Sequence, residues 1–204
     1  SGGTVQAGSL TTLTGVNLTL DPTATLPTAQ ITTLTGNSAL TLSGSKTYDF
    51  AGLATATGSV LNVQGAVLSA PNVTTVDGSS LLVSGGGSLA LPAVTAYANT
   101  TTSNNLVRTF QATGAGSALS LPNVTTITNG QNYDTHLVIQ ALSGGQVDLH
   151  GVTQITDPTT GDTRYRSIDI SANGTSSTVN LSALTSFSDP YAGHATNENR
   201  YSTL

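Results

Sequence analysis

The side chains that could do chemistry in this 204-residue sequence crowd into its last third, while the first half is nearly free of charge. Tyr133, Asp134, His136, Asp157, Asp162, Arg164, Tyr165, Arg166, Asp189, Tyr191, His194, Glu198, Arg200 and Tyr201 lie in or beside segments that interrupt an otherwise apolar and hydroxyl-rich pattern. Tyrosine rings and guanidinium groups supply the stacking and directed hydrogen bonds that sugar and peptide recognition uses. Tyr133, His136, Arg164, Tyr165, Arg166 and Tyr191 are therefore the candidate ligand-binding residues. The competing reading is that exposed loops are polar whatever they do.

Two further chemistries can be weighed. Asp157-Pro158-Thr159-Thr160-Gly161-Asp162 places two carboxylates in one turn, so Asp157 and Asp162 are candidate oxygen ligands for calcium. The segment lacks the D-x-D-x-D-G loop and the G-G-x-G-x-D nonapeptide, and a solvated Asp-Pro turn explains it as well. His136, His150 and His194 show no zinc spacing, and no other cofactor is expected. For catalysis, Asp148 with His150, or Asp169 with Arg166, would be the pairs to offer to a polysaccharide lyase or hydrolase. Asp148 lies between the apolar Val147 and Leu149, the pattern of an outward strand residue, and no G-x-S-x-G, H-E-x-x-H or P-loop is present. No catalytic residue is assigned, and an enzyme is not the expectation.

The elements that must position these residues follow from an internal repeat, which has to be sought before secondary structure. Leu89 to Tyr97 and Leu119 to Ile127 both read L-x-L-P-x-V-T-x-(I/Y), and looser copies run through the chain. Their marker residues are Leu10, Ile31, Leu53, Val73, Val94, Val124, Val152 and Leu184, at separations of 21, 22, 20, 21, 30, 28 and 32. Each copy adds a second apolar run, such as Val60-Leu61-Asn62-Val63, and a glycine-rich corner such as Gly85-Gly86-Gly87. Short Leu and β-branched runs bounded by Gly, Pro and Asn are strand and turn signals, and no window has helical periodicity. The expectation is an all-β parallel β-solenoid of about eight coils of ~21 residues, right-handed by the usual chirality of parallel connections. Residues 1–97 would form regular short coils and residues 98–204 coils enlarged by insertions, all within one solenoid domain. The insertions run roughly from 98 to 105, 128 to 135, 157 to 166 and 189 to 200, always after the V-T-x-I strand, so they should stack into a lateral wall.

Composition limits the partners. Charged residues are 7% of the chain, with five Lys and Arg and a net charge of −5, too few cations to grip a phosphate backbone. Nucleic acid is not an expected partner, and no apolar run approaches the length of a membrane span. The absence of Cys excludes a disulfide framework. Ser1-Gly2-Gly3 has neither the basic start nor the apolar core of a signal peptide, so a targeting segment is expected outside this stretch.

The L-x-L-P-x-V-T-x-I segment resembles the repeat of bacterial surface leucine-rich proteins, and equally the coils of right-handed β-helix passenger and adhesin segments. The second half of each coil reads L-x-V-x-G-x-G, which favours the β-helix of the two. What both resemblances imply is an extracellular or cell-surface protein with a structural or adhesive role. The alternative is a carbohydrate- or protein-binding module whose C-terminal loops meet surface glycans or matrix proteins. A polysaccharide-degrading enzyme is a further reading, and an ice-binding protein another, the latter from outward Thr residues such as Thr32, Thr74, Thr95, Thr125 and Thr153.

Overall fold

A computed structural model describes residues 3–100, 103–190 and 200–204. Among them all regular structure is β-strand, and every strand pairing is parallel. The strands fall on three faces. The first face carries Thr12–Thr14, Thr33–Thr35 and Thr55–Ala56 in one sheet, then Ala96–Ala98, Thr126–Thr128, Gln154–Thr156 and Ser186–Ser188 in another. An isolated bridge from Thr55 to Thr75 carries the first of these sheets on to the intervening coil. The second face is a seven-stranded sheet from Asn17–Leu20 to Ser167–Asn173, and the third a six-stranded sheet from Thr47–Asp49 to Thr178–Asn180. The chain visits the faces in rotation, so strands one coil apart pair with each other. This is an all-β parallel β-solenoid.

Period-two alternation and exact register make the core. On the first face Leu13 pairs with Leu34 and Leu34 with Ala56, while Tyr97, Ile127, Ile155 and Phe187 continue the inward rank after the seam. On the second, Leu40, Leu61, Leu81, Phe110, Ile139 and Ile170 pair in sequence, and on the third Tyr48, Leu68, Leu89, Leu119, Val147 and Val179 do so. The marker residues Ile31, Leu53, Val73, Val94, Val124 and Val152 are buried where the third face turns into the first. Each turn is local chemistry. In Leu121-Pro122-Asn123-Val124 the Val124 N–H donates to the Leu121 carbonyl at 3.3 Å, so Pro122 sits at the second position of a β-turn, where its fixed φ suits the bend. The Asn123 amide then donates to the Pro92 carbonyl of the coil before, at 2.7 Å. Buried Ser79 and Ser117 make similar bonds, accepting from Ser59 N and Gly86 N and donating to Ala56 and Thr113 carbonyls.

The outward side of the first face is a hydroxyl array. Thr12, Thr33 and Thr55 stack in one column, and Thr14 and Thr35 in a second; after the seam one column reads Ala96, Thr126, Gln154 and Ser186 and the other Ala98, Thr128, Thr156 and Ser188. A third column flanks them: Thr32, Thr74, Thr125, Thr153 and Thr185 each donate a hydroxyl to the carbonyl one coil earlier, at 3.0–3.3 Å. These hydroxyls, of which Thr32, Thr74, Thr125 and Thr153 are among the expected outward ranks, are bonded to the backbone.

The coils widen abruptly after Ala98. The second-face strand lengthens from Ser80–Ser84 to Val107–Thr113, and both following strands keep the longer form. The extra residues put Arg108 in register with Leu137 and Ile168, both buried in the core of later coils. The shorter coil before offers nothing opposite Arg108, which therefore emerges at a step beside Gly36, Asn37 and Gly58 in a polar hollow of about 240 Å³. Burial works against its charge and lowers its pKa, and its Nε makes no hydrogen bond.

Candidate functional site

The insertions leave the first face at the same register in successive coils, which fixes the roots of the wall. Asn99, Asn129 and Asp157 each follow a first-face strand and are buried. The Asn99 amide donates to Asn129 Oδ1 at 3.1 Å, and the Asn129 amide to Asp157 Oδ2 at 2.9 Å. Asn129 also donates to the carbonyls of Thr135 and Ser167, the residues that end the two neighbouring loops, at 3.1 Å each. One polar ladder thus staples loop starts to loop ends. The far ends are equally regular: Asn105, Asp134 and Tyr165 stand two residues before their strands and all have positive φ, at 55°, 54° and 60°. Asn105 N donates to Tyr133 O and Asp134 N to Arg164 O, both at 3.0 Å, so the loops stack on one another.

Arg166 was expected on the exposed wall and is instead buried, with Asp157, at its root. Its Nη2 lies 2.9 Å from Asp157 Oδ1, with both side chains 2% exposed. The contact is electrostatic, since that oxygen has no aligned hydrogen bond. Arg166 Nη1 donates to Gly130 O at 3.0 Å and Thr160 O at 2.9 Å, and Nη2 donates to Pro158 O. One guanidinium therefore organises the whole 157–166 loop around itself. Burial pushes the Asp157 carboxyl up to about 6, against the opposing pull of the Asn129 amide and of Arg166.

His136 also departs from the exposed expectation: it is buried, with Nε2 2.7 Å from Asp134 Oδ1 and Nδ1 2.9 Å from Ser167 Oγ. The connectivity has the order aspartate, histidine, serine. Ser167 is wholly buried and donates its hydroxyl to Asp169 Oδ2 at 2.9 Å, so the hydroxyl is committed to a carboxylate and closed off from solvent. Of the other pairs weighed for catalysis, Asp148 and His150 meet at 3.0 Å on the exposed third face, whereas Asp169 pairs with Arg200 at 3.0 Å, not with Arg166.

Asp157 and Asp162 do not form an open pair of carboxylates for calcium. Asp157 is enclosed with Arg166, and Asp162 accepts Arg164 through both oxygens, at 2.9 and 2.6 Å, which holds its carboxyl down to about 2. Among the described residues no group of three or more His, Cys, Asp or Glu is placed to hold a metal.

What remains at the surface is a small aromatic ledge and a groove. Tyr133 and Tyr165 meet edge to face, 5.6 Å between centroids, and the Arg164 guanidinium lies 5.0 Å from the Tyr133 ring centre. Positive φ is costly for a residue as bulky as Tyr165, and such strain concentrates at functional positions. Beside the ledge, Asn99, Asn129, Gly130, Gln131 and Asn132 line a hollow of about 270 Å³ between the first two loops. Asn99 Oδ1, at the open end of the amide ladder, is buried without a hydrogen-bond partner. Charge and aromatic rings, the residue types that mark the loops in the sequence, do not point to the groove asparagines. Their common register, directly after each first-face strand, was the available signal. Tyr191, with His194 and Glu198, lies outside the described residues.

Compared with protein-family models, curated proteins and solved structures, the chain matches none.

Proposed function

We propose that the chain is a structural and adhesive repeat segment of an exported cell-surface protein. The observation that carries this reading is the seven-stranded parallel sheet of the second face, which runs from the first coil to the last over one continuous core. Stacked coils joined by backbone ladders, inward Leu and Val ranks and side-chain bonds between coils make a stiff element. The low charge and the absence of Cys suit exposure to an environment that offers no chaperoned refolding. Antibodies raised against the chain should label intact, unpermeabilised producing cells. Labelling only after permeabilisation would sink the surface assignment.

A second reading is supported by the groove and the tyrosine ledge: the enlarged coils bind a glycan or an extended peptide. Amide side chains with an unsatisfied acceptor and paired aromatic rings are the groups such ligands use. A glycan and matrix-protein array should give a hit that Tyr133→Ala and Asn132→Ala both weaken. Arg166→Ala is unsuited to this test, because it strips the loop of its internal support.

A further inference from the structure

We infer that the threonine columns of the first face form an ice-binding surface, through which the solenoid adsorbs to the ordered water of a growing crystal. The inference stands apart from the surface-protein reading and needs only this face. Threonine is a favoured exposed strand residue, so its presence alone says little. The other two faces supply the control, because they are built by the same strands under the same physics. On the third face the outward positions are mixed, including Asp49, Val67, Ser88, Gln146 and Asn180. On the second they include Val60, Asn62, Val138 and Gln140. On the first face threonine fills two adjacent columns before the seam, Thr12, Thr33 and Thr55 beside Thr14 and Thr35, and returns after it at Thr126, Thr128 and Thr156, among the small or polar Ala96, Ala98, Gln154, Ser186 and Ser188.

The array is two-dimensional and preorganised. In-register parallel strands stand about 4.8 Å apart, and alternate residues of a strand about 6.6 Å apart, so methyl and hydroxyl groups recur on both axes. The flanking hydroxyls are fixed by their bonds to backbone carbonyls, and Thr14 Oγ1 meets Thr35 Oγ1 at 3.2 Å. Each bonded hydroxyl keeps a lone pair for water, with its methyl held alongside. Rotamers locked before binding remove an ordering cost that a free surface would carry.

Other occupants fit less well. The face has no Lys, Arg or aromatic residue pointing outward, so it lacks what anionic polymers and stacked sugars need. It also lacks the large apolar anchors of a protein interface. Its one carboxylate, Asp77, is occupied at the seam, where Oδ1 accepts Ala98 N at 2.8 Å. A regular lattice of water matches repeated small groups and asks for nothing else.

The test uses the whole chain, fluorescently labelled, on a slowly growing ice surface, together with thermal hysteresis and recrystallisation assays. The chain should enter the ice and slow recrystallisation. Thr126→Lys should reduce both to the level of buffer, while Ser88→Lys, on the third face, should leave them unchanged. Circular dichroism melting shows whether each variant folds. Should the lysine variant not fold, Thr126→Ser keeps the hydroxyl, drops the methyl and should give a partial loss. Exclusion of the parent chain from ice overturns the inference, as does equal loss in the two lysine variants. Self-association abolished by Thr126→Lys, or depletion by crystalline cellulose or chitin through this face, would instead assign it to a second copy or to a polysaccharide.

Discussion

Arg166 shows how a residue's chemistry misleads when its register is unread. As a type it suggested an exposed ligand contact, and the structure buries it against Asp157 and three carbonyls. Its position immediately before a second-face strand is shared by Thr135, which is wholly buried, so aligning loop exits would have revealed its direction. Removing one partner of a buried pair leaves the other charge stranded, and Arg166→Ala should cost about 3–5 kcal/mol in urea unfolding. Asp157→Asn should cost less, because the Arg166 guanidinium still donates to the Gly130, Thr160 and Pro158 carbonyls and the new amide oxygen can keep accepting from Asn129. The carboxyl also sets a pH dependence. With a folded value raised to about 6, above its unfolded 3.8, the folded state holds the proton more tightly. Stability from this group is greatest below the unfolded value and is lost as pH rises toward 6, with no further change above. Thermal melts of the parent and of Asp157→Asn should diverge in slope between those limits.

The elements were far more legible than the site, because strand alternation and turn residues act locally whereas loop stacking does not. L-x-L-P-x-V-T-x-I encodes a strand, a β-turn and a second strand within nine residues, and the structure has those three pieces at Leu119 to Ile127. The amide ladder of Asn99, Asn129 and Asp157 joins residues about thirty apart in sequence, with nothing nearby to announce it. The step at Arg108 is likewise a difference between two coils, invisible in either one alone. Element-level tests follow from this division. Leu119→Ala removes an inward rung and should cost about 2–5 kcal/mol, while the outward Ser120→Ala on the same strand should stay within about 0.5 kcal/mol. Gly161 has φ +78°, and a Cβ there would sit 2.1 Å from the Gln131 carbonyl of the loop beneath. Gly161→Ala should therefore loosen the wall. Hydrogen exchange is expected to rise across 129–135 and 157–166, with third-face strands still protected.

For the whole molecule, the ends of the stack matter more than its middle. Within the described residues the inner coils are covered on both sides and the first is not: Leu10, Leu13, Val16, Leu18 and Leu20 line an open apolar hollow of about 420 Å³. Residues 3–10 cross it only in part, through bonds such as Val5 N to Thr25 O at 2.9 Å. The strand Asn17–Leu20 closes the second-face sheet at this end and leaves one side of its backbone unpaired. An uncovered solenoid end combines unpaired backbone with apolar side chains, the two conditions for edge-to-edge pairing. Apart from Asp21 the residues that line this hollow are apolar, hydroxylic or glycine, so apolar contact dominates and the association should strengthen rather than weaken with salt. Sedimentation velocity across a concentration series should detect end-to-end oligomers. Leu18→Lys puts a charge into the hollow without disturbing later coils and should return the chain to a single species, while Leu119→Ala, in mid-stack, should not. Oligomers that persist unchanged in Leu18→Lys would place the contact elsewhere, and the threonine face would be the next surface to charge.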